Sequence, residues 1–276
     1  MAEMFEQGVI RTNDGLNLFY RRDIPRRPKG IVVLLHSLAE HSGRYDEVAL
    51  RLNKAGYGVY RFDCRGHGRS DGPRGDVQNF HDYVQDTDVV VDRARRENPE
   101  SPVFLVGQSM GGFVAAAYAA EHPGKLAGEV TVGAAVRRMP ALDFLDDERR
   151  HRLRERGDER FSLMLPYWKD RGYDSWSSDR LILDSVTVRL AGNVWLYGAD
   201  WFAPRMKDVV TPLFILHGED DELVPSETAK WFYDGVSSQD RTLRTYPHLA
   251  NGMLERDGDI LGDIVAWLDT HRGRAE

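Results

Sequence analysis

Residues 101–115 constrain the fold more tightly than any other stretch of this chain. Val103, Phe104, Leu105 and Val106 form a short apolar run of the kind a fully buried strand carries. Beyond Ser109 the residues become alanine-rich and apolar nearly all round (Phe113, Val114, Ala115, Ala116, Ala117, Tyr118), the composition of a buried helix. Between the halves stands Gly107-Gln108-Ser109-Met110-Gly111, a G-x-S-x-G pattern. This order predicts a sharp strand-to-helix bend with the serine at its tip. The glycines let neighbouring backbone pass close by, and the helix start aims N–H groups at developing negative charge. A pattern with three fixed positions recurs by chance. The strand and helix expected on either side select a nucleophile turn over a merely glycine-rich one.

The rest of the chain alternates in the same way. Asn13-Asp14-Gly15 marks a tight antiparallel hairpin at the start. Strands are expected over 31–35, 57–62, 127–133, 212–216 and 242–246, with 31–35 and 212–216 read as buried. Helices are expected over 45–55, 80–97, 226–233 and 259–270. Strand and helix in alternation predict an α/β fold with a mainly parallel sheet.

The pattern changes beyond residue 136. Residues 143–160 are dense in both signs of charge and read as a solvated helix face. Four tryptophans follow: Trp168, Trp176, Trp195 and Trp201. Residues 137–208 are read as a mostly helical cap, or lid, inserted between two strands, with 1–136 and 209–276 forming the core domain. Trp168, Trp195 and Trp201 are candidates to line an apolar pocket; forming the core of the cap itself is the competing role.

Several functions are disfavoured. A net charge of −7 argues against general affinity for nucleic acid. Cys64 is the single cysteine, so no internal disulfide can form. No apolar leader and no run long enough to cross a bilayer is evident, so a cytoplasmic location without stable membrane insertion is expected. No metal-ligand spacing or nucleotide-type phosphate loop stands out, and neither metal nor cofactor is expected. The expected partner is a small-molecule substrate with an apolar part.

Four stretches carry a family resemblance: Glu40 to Tyr45 (EHSGRY), Asp63 to Gly72 (DCRGHGRSDG), Gly107 to Gly112 (GQSMGG) and His217 to Asp221 (HGEDD). On these the chain resembles the monoacylglycerol lipase and lysophospholipase group of α/β-hydrolases. The resemblance implies a mostly parallel eight-stranded sheet flanked by helices, with a helical cap. It implies a serine hydrolase acting on carboxylic esters with an apolar acyl chain. Carried over residue by residue, Ser109 matches the nucleophile. Asp221, rather than its neighbour Asp220, matches the acid. The backbone N–H groups of Leu38 and Met110 match the oxyanion hole.

The chain departs from this pattern at three places. Counting five residues from Tyr246 lands on Asn251, where the family has its catalytic histidine, and an amide cannot serve as a general base. His248, three residues earlier, is the one substitute the loop offers. Ser37 stands where the family has glycine, and Gln108 where it often has histidine; both are candidate substrate-binding positions. His36 and His217 are read as loop-fixing. These departures keep two alternatives open. One is a repurposed scaffold catalysing a non-hydrolytic step (cyclisation, elimination or acyl transfer) on a specialised metabolite. The other is an inactive, ligand-binding or engineered variant lacking the histidine.

Overall fold

The computed structural model describes residues 4–138, 157–163, 178–254 and 258–273. Its strands are β1 (Met4–Arg11), β2 (Asn17–Ile24), β3 (Ile31–Leu35), β4 (Gly58–Phe62), β5 (Val103–Gln108), β6 (Gly128–Val132), β7 (Arg160–Ser162), β8 (Ser185–Thr187), β9 (Leu213–Gly218) and β10 (Arg241–Tyr246). Eight of them form one sheet in the order β1-β2-β4-β3-β5-β6-β9-β10. β2 runs antiparallel to both of its neighbours, and every other adjacent pair is parallel. The α/β-hydrolase architecture expected from the sequence is the one observed.

Alternation along each central strand divides the core in two. Ile31, Val33 and Leu35 of β3 face one side, and Val32 and Leu34 face the other. Both faces are buried, so β3 to β6 read as near-continuous apolar runs. The first face is covered by α2 (His81–Glu97) and α3 (Met110–Glu121), the second by α1 (Asp46–Lys54) and the C-terminal helix Gly258–His271. Every residue of α3 from Met110 to Ala119 is buried, as its unbroken apolar composition requires.

Glu129 of β6 is an exception within the core. It is wholly buried, and neither carboxylate oxygen has a hydrogen-bond partner among the described residues. Desolvation pushes its pKa up from 4.5 to about 8, so burial favours the neutral acid.

The described part of 137–208 is not wholly helical. β7 and β8 pair antiparallel, three residues on each side. Segments this short give no legible alternation, which is why the sequence reads as helical there. After β8 come α4 (Val188–Gly192), a π-helical turn (Asn193–Gly198), α5 (Ala199–Phe202) and a 3-10 stretch (Ala203–Asp208). Rings fasten this run to the core. Phe80 stacks on Phe113 at 4.8 Å, Phe113 meets Phe202 edge-on at 5.8 Å, and Phe202 meets Phe232 at 5.7 Å. Polar contacts add to it: Asp76 accepts from Thr187 and Arg189, and Ala39 O accepts from Leu183 N–H at 2.9 Å.

Candidate active site

Sheet order reverses between β3 and β5, since β4 lies to one side of β3 and β5 to the other. In open α/β sheets, ligands bind beyond the carboxyl ends of the strands at such a switch point. Ser109 stands there, between β5 and α3, with φ 53° and ψ −113°. A side chain at positive φ is strained and persists only where its surroundings enforce it. Ser109 N–H donates to Val132 O at 2.8 Å, and Phe113 N–H donates to Ser109 O at 3.0 Å. Two glycines are required sterically. A Cβ on Gly107 would lie 2.2 Å from Gly111 O, and one on Gly111 would lie 2.5 Å from Leu35 O. The second contact packs the first turn of α3, which begins at Met110, against the chain leaving β3 towards Leu38.

That chain is held by buried groups. His36 Nε2 accepts the Cys64 N–H at 2.9 Å, and its Nδ1 donates to Ser37 O at 2.7 Å. Burial lowers its pKa to about 4 despite the nearby Asp63, so the ring is a neutral fixture of the loop. Ser37 and Leu38 are half-buried, and Ala39 takes φ 67°.

Asp221 arrives on the loop after β9. Its Oδ1 accepts the N–H groups of Leu223 at 3.0 Å and Val224 at 2.9 Å. Its Oδ2 accepts from Asn251 Nδ2 at 2.9 Å. His217 Nε2 donates to Val224 O at 2.8 Å and lies 3.6 Å from Asp221 Oδ2, fixing the same loop. Burial raises the carboxyl of Asp221 above its ordinary pKa; the bonds from Val224 and Asn251 oppose that shift.

These pieces meet at Gly133. A Cβ there would stand 3.3 Å from Asn251 Nδ2 and 3.6 Å from Asp221 Oδ2. The flanking residues Val132 and Ala135 both hydrogen-bond the backbone of Ser109. The structure therefore brings Ser109, Asp221 and Asn251 to one place. Gly133 went unremarked in the sequence; a glycine ending a buried strand is the signal that could have found it.

Four candidate positions fall differently. His248 does not join the group. Its side chain is 93% exposed, and the nearest carboxylate is Asp220 at 3.9 Å. Its φ of 63° belongs to a turn that aims the ring at solvent while Leu249 O meets Asp220 N–H. Gln108 is 1% exposed and committed to Tyr45 and Leu254. It shares strand parity with Phe104 and Val106, so it turns towards α1, away from α2 and α3. Trp195 packs into the core, one helical turn from Ala191 and Ala199. Trp201 is half-buried against His81, 4.7 Å between rings, with Arg205 over its face. Trp168 lies outside the described residues.

A cavity of about 630 Å³ lies between the segment following β6, α5 and the helix α6 (Glu227–Gly235), and none of Ser109, Asp221 and Asn251 lines it. Arg137, Ala203, Pro225 and Trp231 are among its walls, and Pro225 follows the Val224 that holds Asp221. Among the described residues no helix is long and apolar enough to cross a membrane.

A sequence profile of the family described as serine aminopeptidase, S33, matches residues 26–255. The chain is 31% identical to a monoacylglycerol lipase of Mycolicibacterium smegmatis over 256 residues, 88% of this chain and 89% of that protein. It is 32% identical to the human monoglyceride lipase over 279 aligned residues, covering 95% of this chain and 90% of the relative. The crystal structure of a Paleococcus ferrophilus monoacylglycerol lipase superposes with a TM-score of 0.76 at 24% identity, covering 97% of this chain and 99% of that one.

Proposed function

Because the chain belongs to the serine aminopeptidase S33 family, within the monoacylglycerol lipase group of α/β-hydrolases, and is a lipase- or esterase-like serine hydrolase, we propose that Ser109 is its nucleophile and that its substrates are carboxylic esters with an apolar acyl chain. Monoacylglycerols, the substrates its relatives are named for, are the first class to try. One observation carries this reading: the strained serine and the buried, hydrogen-bonded Asp221 converge on Gly133 from different strands.

Ser109 Oγ attacks the ester carbonyl. The N–H groups of Leu38 and Met110 stabilise the oxyanion. The alcohol leaves, and water then releases the acid from the acyl-serine. The described parts of 137–208 pack on α3 and on the Ala39 turn, and the cavity walled by Arg137, Ala203, Pro225 and Trp231 has the size usual for a small ligand. Asn251 occupies the place of the family's histidine. It satisfies Asp221 without offering a base, so the serine proton leaves to solvent and turnover is slow. Preorganised oxyanion donors alone retain about 10³–10⁴-fold catalysis over water when a triad member is missing.

Labelling of Ser109 by a fluorophosphonate, with p-nitrophenyl ester and monoacylglycerol turnover, tests the proposal. Parent and Asn251→His proteins should both label, and Ser109→Ala should not. Failure of the Asn251→His protein to label at Ser109 overturns it.

A further inference from the structure

Gln108 precedes Ser109 and spends both ends of its buried amide. Its Nε2 donates to Tyr45 Oη at 3.1 Å, and its Oε1 accepts the Leu254 N–H at 3.0 Å. Tyr45, wholly buried, donates to Glu40 Oε2 at 2.7 Å and accepts the Ser37 N–H at 3.2 Å. The same N–H reaches Glu40 Oε2 at 3.3 Å. Three chain segments are thus tied through the linked side chains of Gln108 and Tyr45. Ser37 adjoins Leu38, Gln108 adjoins Ser109, and Leu254 lies three residues beyond Asn251.

We infer that Gln108 is a positioning residue, holding the Leu38 loop and the Asn251 loop in register with Ser109 through Tyr45 and Leu254. The inference rests on the functional reading above. The chemistry of the site dictates what can fill position 108. The single phenol proton of Tyr45 goes to Glu40, so towards Gln108 the phenol presents a lone pair, while Leu254 presents an N–H. The residue must donate at one end and accept at the other. A primary amide does both, an ionised carboxylate only accepts, and a thioether donates to neither partner. Two of the three tethered segments carry groups placed at the reacting atoms, and a displacement of about 1 Å in such a group costs on the order of 10²-fold in rate.

The test uses the full chain carrying Asn251→His, with p-nitrophenyl ester kinetics and fluorophosphonate labelling. Adding Gln108→Met should lower kcat by about 10- to 100-fold and leave KM within about threefold, because positioning is lost and the pocket is untouched. Tyr45→Phe should cost as much, and the double variant no more than either single one. Gln108→Glu supplies a readout that a packing role would not move. Protonated, its acid both donates and accepts; ionised, it only accepts. Its activity relative to the Gln108 protein should be near parity at pH 5 and fall at least about tenfold by pH 8. A folded Gln108→Met protein with unchanged kcat overturns the inference, as does a Gln108→Glu ratio flat across pH. If Gln108→Met fails to fold, the Gln108→Glu profile and Tyr45→Phe still decide. Absence of Ser109 labelling in the Asn251→His protein itself is the separate signature of a failed functional reading, and the inference falls with it.

Discussion

Asn251 Nδ2 donates to Asp221 Oδ2 at 2.9 Å, so a buried acid is paired with an amide that can hold it but cannot exchange a proton with Ser109. In the proposed mechanism the pair keeps a charge-orienting geometry without a base.

Replacing Asn251 by histidine should therefore raise kcat/KM on short p-nitrophenyl esters by about 10²-fold or more, given that triad members contribute on the order of 10³–10⁴. The pH dependence should change with it. The parent rate rises steadily with hydroxide, while the Asn251→His rate rises through the ordinary histidine range near pH 6.5 and then levels. Steady-state rates from pH 5 to 9 distinguish the two, and a parent profile that already levels near neutrality would mean another base is present.

Removing the amide instead exposes what Asp221 needs. Asn251→Leu strips the donor from Oδ2 while the N–H groups of Leu223 and Val224 remain on Oδ1. An unsatisfied buried acceptor should cost about 1–3 kcal/mol, read as a lower urea midpoint with an unchanged slope. An unchanged midpoint would mean that solvent satisfies the oxygen.

The positive φ of Ser109 should trade stability for chemistry. Ser109→Gly relieves a conformation that only glycine adopts freely, so it should stabilise the fold by about 1 kcal/mol and raise Tm by a few degrees. Activity should vanish. Calorimetry on both proteins checks this, and a lower Tm would show the serine side chain to be stabilising in itself.

Glu129 makes stability depend on pH in the opposite sense to most carboxylates. Its folded pKa of about 8 lies above the 4.5 of an exposed glutamate. Between those values the unfolded chain has released the proton that the folded chain retains, so this group's contribution falls as pH rises through that window and is constant above it. At about 1.4 kcal/mol per unit of separation, the full effect is several kcal/mol. Glu129→Gln should match the parent near pH 5 and exceed it in urea resistance by pH 8.5. Parallel curves for the two proteins would place the carboxyl in contact with water.

Much of this protein was legible in the chain itself. Apolar runs, glycines and the alternation of strand and helix determined the fold class, because burial on both faces of a central strand leaves a composition found in few other settings. The turn at Ser109 was equally legible, since Gly107 is demanded by the Gly111 backbone within the same turn, although Gly111 itself answers to the distant Leu35 on β3. Counting from Tyr246 by the spacing of the resembling family pointed to Asn251, and the structure places its amide on Asp221. What the side chains do was decided only in three dimensions. His248 and Asn251 are three residues apart in one polar loop, and the direction of each depends on a turn and on a carboxylate 30 residues away in sequence. Gln108 read as a pocket residue until strand parity turned it to the opposite face, where Tyr45, 63 residues distant, receives its hydrogen bond. The apolar core follows from composition and period, which are local. Polar partnership follows from which loops the packed sheet brings together, which is not.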